Sequence, residues 1–342
     1  IFCNEKMPDE LIRDTFHLKD TSDWRLRTAR EIIGRDKDWE NALLQILYRP
    51  FDVRWILYHD AVIDRPRREV MKYMTHENLS ICFIRQASLG EKFSHSFVSK
   101  LIVDNRTFLS SKGLIQQAPL YIYPDTNTQN PGNPKKGSLG AMMLFEPSGE
   151  YTTRKPNLNP AIVKQLTKDF GKPPTPEEIF YFTYAILYSN IYRTMYAEFL
   201  KTDFPRIPFT KDYKLFRVMA EYGERLVGLH LLNAPELDTP VARCQGKGDF
   251  KVEKIRYYGD EGLAYFNPDQ HFEGIVEEVW GYRIGGYQVC HKWLKERKGR
   301  VLSLEDIQHY CKIVTSVSKT IDVQKIIDDI YPDVEKPPSH IS

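Results

Sequence analysis

Residues 179–200 read IFYFTYAILYSNIYRTMYAEFL, apolar or aromatic on nearly every side of a helix. The start is marked by Thr175-Pro176-Glu177-Glu178, a capping box with proline at the first helical position. The stop is marked by Phe204-Pro205-Arg206-Ile207-Pro208, where two prolines rule out continuation. A helix apolar all round must be buried, so the rest of the chain has to wrap it. The Tyr and Phe stripe therefore reads as core rather than as a base-stacking platform. With 342 residues, 42% hydrophobic and 27% charged, the chain is long and apolar enough to do this, as two or three compact domains or one large one. A disordered, collagen-like or disulfide-scaffold chain is excluded.

Around that helix the texture changes along the chain. Residues up to 47 are charged and read as helices, with Trp39, Ala42, Leu43, Ile46 and Leu47 at helical spacing. From 48 to 123 short β-rich runs appear at 55–58, 79–84, 97–103 and 120–123, separated by polar turns. Residues 124–160 hold six prolines and four glycines, a composition that suits an exposed loop. A second helix is expected over 214–232, strands over 250–258 and 262–266, and a helix ending near Gly299. Ser303-Leu304-Glu305-Asp306 opens a further helix, and a short last one carries Val323, Ile326, Ile327 and Ile330. The expected class is α+β: mixed-sheet lobes with a helix-rich section, in a two-lobed arrangement. Its divisions fall at 1–47, a helical lead-in; 48–165, a β-rich lobe; and 166–335, a helix-rich lobe with a small sheet around 241–286.

Several chemistries are missing. No phosphate-cradling GxxxxGK[ST] loop, GxGxxG turn, GxSxG elbow or HExxH helix occurs. The five cysteines are odd in number, scattered and without a CxxC pair, as free thiols in a reducing cytoplasm would be. His309 with Cys311, and Cys290 with His291, read as incidental neighbours rather than halves of a metal site. Acidic-acidic-lysine echoes at Asp333, Glu335, Lys336 and at Asp269, Glu296, Lys298 read as chance. No apolar run reaches the ~18 residues that span a bilayer, and no signal peptide opens the chain. It begins at Ile1, and reads as a fragment of something longer.

Charge is where a partner shows. The formal net charge is only +2, which argues against a uniformly cationic surface. Locally the balance breaks. Six cations, Arg283, Lys292, Lys295, Arg297, Lys298 and Arg300, stand against Glu296 alone. Gln288, Lys292 and Lys295 share one helical face just after Gly285-Gly286, where a helix N-terminus can accept a phosphate. Lys and Arg neutralise phosphates, while Arg, Asn and Gln read base edges. On those grounds the candidate DNA contacts are Arg85, Gln86, Lys100, Arg106, Lys112, Lys247, Lys251, Arg283, Gln288, Lys292 and Lys295. Asn127, Gln129, Asn130, Asn133, Lys135 and Lys136 of the Pro/Gly segment are a further reach toward a groove. Against these stands the plain alternative of a solvated lysine face. For Arg49, Arg54, Arg65 and Arg67 the alternative is structural pairing with Asp52, Asp60 or Asp64.

Tyr48-Arg49-Pro50-Phe51-Asp52-Val53-Arg54-Trp55, followed by Arg65-Pro66-Arg67 and Val70-Met71, resembles the YRPFDxR…RPRxxVM block of Type ISP restriction–modification enzymes. The similarity continues in order through Arg85-Gln86, 95–98, 119–124, 179–189, 192–208, 279–288 and 293–295, covering about 42–320. Those enzymes join nuclease, helicase-like motor, adenine-N6 methyltransferase and target-recognition regions in one bacterial chain. The methyltransferase's glycine loop and [DN]PP[YFW] tetrapeptide are absent here. The resemblance therefore implies the specificity module. It would recognise double-stranded DNA for methylation and restriction by domains outside this chain. No catalytic residue and no cofactor is implied for this chain. S-adenosylmethionine, with ATP and Mg for motor and nuclease, is implied for the parent enzyme. The alternative is a scaffold that couples methyltransferase and motor domains without touching bases.

Overall fold

The computed structural model describes residues 6–21, 24–63, 66–88, 92–124 and 154–336. Two short helices, α1 (Asp9–Phe16) and α2 (Leu26–Arg35), bury Ile12, Leu26, Ala29 and Ile33. The Trp24 indole N–H donates to the Ala61 carbonyl at 2.8 Å and ties this helical unit to the β-rich region. The helix expected over 39–47 is a 3-10 turn, Trp39–Ala42, that gives way to β1 (Leu43–Arg49). Its apolar run fits either period, and the ladder decides. β1 pairs antiparallel with β2 (Asp52–Leu57), Leu47 opposite Val53 and Arg49 opposite Asp52.

After α3 (Arg68–Met71) come β3 (Ser80–Ile84), β4 (Ser96–Ser99) and β5 (Ile102–Val103). β5 runs parallel to β1, so one sheet has the order β2-β1-β5. β6 (Ile115–Pro119) completes a second, antiparallel sheet, β4-β3-β6. Beyond it, β7 (Tyr121–Ile122) pairs with β8 (Lys155–Pro156). Most of the Pro/Gly segment lies outside the described residues, including Asn127, Gln129, Asn130, Asn133, Lys135 and Lys136. Just past that segment the chain enters α4 (Pro160–Phe170), which the composition had hidden: Asn159 caps it by accepting from the Ala161 N–H at 2.9 Å.

The capping box at Thr175 forms, with both of its hydrogen bonds, at the start of α5 (Pro176–Tyr188). The helix does not run on to 200. It breaks at Ser189 into α6 (Asn190–Met195) and α7 (Ala197–Leu200). The cause lies far along the chain: the Asp328 carboxylate accepts from Ser189 Oγ and from the N–H groups of Asn190 and Ile191, an anion at a new helix start. α8 (Tyr213–His230) lies so close to α5 that a Cβ at Gly223 would fall on the Tyr181 carbonyl oxygen.

A four-stranded antiparallel sheet comes next: β9 (Arg243–Gln245), β10 (Arg256–Tyr258), β11 (Leu263–Tyr265) and β12 (His271–Glu273), in the order β10-β11-β12-β9. The strand expected over 250–258 is therefore only its last third. The backbone of 250–252 is taken by 299–302 instead, as in Val252 N–H to Arg300 O at 2.8 Å. Then come α9 (Glu277–Gly281), a hairpin of β13 (Arg283–Ile284) and β14 (Tyr287–Gln288), and α10 (Val289–Lys295).

The two helices expected at the end are one, α11 (Leu304–Val334), 31 residues long. Its central hydroxyls do not break it, because Thr315 and Thr320 donate to carbonyls one turn back and Ser316 to Leu229 of α8 at 2.8 Å. One contiguous apolar core runs from Ile46 in β1 to Val334 at the end of α11. The class is α+β, as the sequence leads one to expect. No described helix is long and apolar enough to cross a membrane.

Candidate nucleic-acid interface

The YRPFDVR segment builds a buried charge cluster. Phe51 turns the β1–β2 hairpin at φ 63°, and Asp52, 2% exposed, is aimed inward. Asp52 accepts from Arg54 at 2.8 Å and from Arg297, just past α10, at 2.9 Å. Arg49 pairs with Asp104 at 2.9 Å and approaches Glu296, which Arg54 reaches at 3.4 Å. The Arg49 and Arg54 guanidiniums both sit over the Tyr48 ring, and that of Arg297 lies 3.4 Å from the Trp293 ring centre. His309 Nε2 meets the Phe51 carbonyl at 2.8 Å. Burial, then the Asp52 charge, push the Glu296 carboxyl above its ordinary range despite the arginines. Arg54 pairs with Asp52 as the structural reading expects, while the pairing of Arg49 is structural too but with Asp104, an acid outside the three expected. Arg67 donates to the Ile115 carbonyl at 3.1 Å, and Arg65 and Asp64 lie outside the described residues.

This cluster fixes the inner side of α10, and the outer side carries the opposite arrangement. Trp293 and Leu294 are fully buried. Arg283 and Lys295 are exposed and Lys292 is half-buried. None of these three cations has an ion pair among the described residues. They converge on His291, whose imidazole is held below its ordinary value by burial and then by Lys295, Lys292 and Arg283. Such a concentration of unpaired positive charge is suited to an anion.

The expected phosphate cradle at Gly285-Gly286 does not form. The two glycines are the hairpin turn between β13 and β14, and their N–H groups donate to Ser94 O at 3.0 Å and Phe108 O at 2.8 Å. Gly285 has φ +60°, and a Cβ there would meet His95 and Phe108. Gln288 is engaged through both ends of its amide: its Nε2 donates to the Trp280 carbonyl at 2.9 Å, and its Oε1 lies 3.5 Å from the Arg283 guanidinium.

The remaining candidates are dispersed. Arg85 sits over Phe204 at 5.3 Å with Asp203 3.9 Å away. Gln86 and Lys112 flank the same sheet end, because Ile84 pairs with Ile115. Lys100 follows Ser99, the partner of Ser80, and so marks the opposite end. Arg106 turns back to the Ser110 carbonyl at 3.4 Å. Lys247 and Lys251 are exposed beside the four-stranded sheet. No three His, Cys, Asp or Glu side chains among the described residues are grouped to hold a metal ion. Lys336 pairs with Asp333, and Glu296 serves the buried cluster, which accounts for the acidic-lysine echoes.

Comparison with known proteins identifies the family. The family model of the Type ISP C-terminal specificity domain matches residues 2–326. The chain belongs to that family. Among solved structures, the specificity domain resembles the ATP-dependent Type ISP restriction-modification enzyme LlaBIII bound to DNA, at 19% identity and TM-score 0.63 over 88% of this chain and 19% of that one. It also resembles a nuclease-deletion mutant of the Type ISP enzyme LlaGI with a DNA substrate mimic, at 17% identity and TM-score 0.59 over 94% of this chain and 24% of that one. The DrdV–DNA complex matches at 16% identity and TM-score 0.64, over 97% of this chain and 32% of that one. The chain thus spans between about a fifth and a third of the chains it matches. No curated protein matches it in sequence.

Sequence reasoning misses His291 in the specificity domain, which reads there only as an incidental neighbour of Cys290. The signal available is its place four residues before Lys295, on one helical face with it rather than in a metal pair.

Proposed function

We propose that this specificity domain is the DNA target-recognition module of a restriction–modification enzyme. It holds duplex DNA for adenine-N6 methylation and cleavage by domains outside this chain. The observation that carries the reading is the unpaired group Arg283, Lys292 and Lys295 around His291, on a helix whose other side is locked into the core. A rigid mount and a free cationic face are what positioning a backbone requires. S-adenosylmethionine, ATP and Mg belong, in this reading, to the methyltransferase, motor and nuclease domains, and the whole enzyme works in the cytoplasm. The test is an anisotropy titration of labelled duplex at several salt concentrations. The expected result is binding whose logarithm falls linearly with that of salt. Absence of binding at low salt, or a flat slope, overturns the proposal in favour of a scaffold that joins domains without DNA contact.

A further inference from the structure

The outer face of the four-stranded sheet carries a second arrangement, one that charge alone does not single out. Strand alternation turns Cys244, Tyr257, Ala264 and Phe272 inward, where Tyr257 stacks on Trp280 at 4.5 Å and Phe272 packs on Tyr310 at 4.4 Å. Register then brings Arg256, Tyr265, His271 and Gln245 level with one another, one from each strand, on the opposite face. Tyr265 lies 4.6 Å from the His271 ring and meets exposed Tyr258 edge-on at 5.5 Å. Beside this row opens a cavity of about 500 Å³ bordered by Arg256, Tyr258, Tyr265 and Asn267.

Two properties identify the occupant. The first is charge. Lys254 and Arg256 border the cavity together with Glu253 and Glu261, so the cavity rim carries no cationic surplus, unlike the α10 patch. A phosphate row needs such a surplus. The neutral edge of a base pair needs donors and acceptors in balance, and Arg, Gln, Asn and Glu are the side chains that match guanine, adenine and cytosine. The second is spacing. Four strands about 4.8 Å apart carry the row across roughly 14 Å, the length of about four base steps at ~3.4 Å each. We propose that this face reads base edges of duplex DNA, with Arg256 as the discriminating donor, Gln245, whose Nε2 is held by Glu273 Oε1 at 2.8 Å, presenting its Oε1 as the discriminating acceptor, and Tyr265 as a planar rest between them. The proposal rests on the target-recognition reading above and divides the labour within it: α10 grips phosphate, and the sheet specifies sequence.

The experiment selects duplexes from a randomised pool with the wild-type chain and with Gln245→Ala, Arg256→Ala and Lys292→Ala. Each measurement gives the affinity ratio of selected over random duplex and the salt slope, with circular dichroism confirming the fold. Gln245→Ala and Arg256→Ala are expected to lower the ratio roughly 5- to 150-fold, with Gln245→Ala leaving the salt slope unchanged. Lys292→Ala is expected to weaken all duplexes alike and flatten the slope. If wild-type chain binds DNA but both sheet variants select the same sequence at the same ratio, the sheet proposal falls and the function stands. Wild-type binding with no sequence preference overturns the sheet proposal as well. No duplex binding by the wild-type chain at low salt overturns both.

Discussion

Lys295 ends α10 and Arg297 stands two residues later, yet one faces solvent and the other closes the core. Arg297 is tied to Asp52, Trp293 and the Asp306 end of α11. Lys295 is exposed and has no carboxylate partner among the described residues. The same run of positive charge therefore divides into a clamp and a contact surface. The dividing factor is whether a distant acid reaches the residue. Composition counts both kinds of cation alike, so a basic run in sequence overstates the charge available to a ligand.

That contrast can be broken most sharply at Asp52. Asp52→Ala leaves two guanidiniums without their buried partner, and is expected to destabilise the chain by about 3–5 kcal/mol. Lys295→Ala is expected to change stability by no more than about 0.5 kcal/mol. Urea denaturation midpoints check this, and equal shifts for the two variants would refute the division.

The histidines repeat the contrast in their response to pH. His230, bonded to Tyr184 at 2.7 Å and Thr320 at 3.0 Å, is pushed down to about 3 by burial, and His95 to about 4. Unfolded, both would take a proton near pH 6.5. Between those values the unfolded state binds more protons, so stability falls as pH falls. The expected loss is about 1.4 kcal/mol per pH unit for each, complete for each histidine once pH passes below its folded value. Thermal unfolding from pH 7 to 4.5 tests the slope; half the slope would place one ring in solvent, and a flat profile both.

On the exposed side the expected effects appear in binding rather than stability. The double variant Lys292→Ala/Lys295→Ala is expected to lower the salt slope of duplex binding by about two while leaving the denaturation midpoint in place. The smallest effect belongs to His291. Burial and then neighbouring cations hold its imidazole down in the free chain, and a bound phosphate offsets the cations, so binding takes up a proton. Affinity for duplex should rise a few-fold as pH drops from 7 to 5.5, and His291→Gln should remove the dependence.

What can be read in the sequence is what is local. The capping box at Thr175 and the helix start at Ser303 are four-residue devices, and both form, the latter also as a capping box. The core assignment of Phe180, Phe182, Tyr184 and Tyr188 also comes from one helix seen alone. The break at Ser189 cannot be read there, because its cause, Asp328, stands 139 residues further on. Nor can the fate of Glu296, whose partner Arg54 lies 242 residues back. In the candidate site, charge alone points to Lys292 and Lys295, which have no ion pair among the described residues, and composition does not display the Trp280 carbonyl that engages Gln288.

The length of α11 has a mechanical meaning. At ~1.5 Å per residue its 31 residues make a rod of roughly 46 Å. Near its start Tyr310 packs on Trp293 of α10 at 5.2 Å, and near its end Asp328 holds the start of α6. Because the rod is buried in the same core along its length, it sets a fixed separation between the α6 end and the cationic helix.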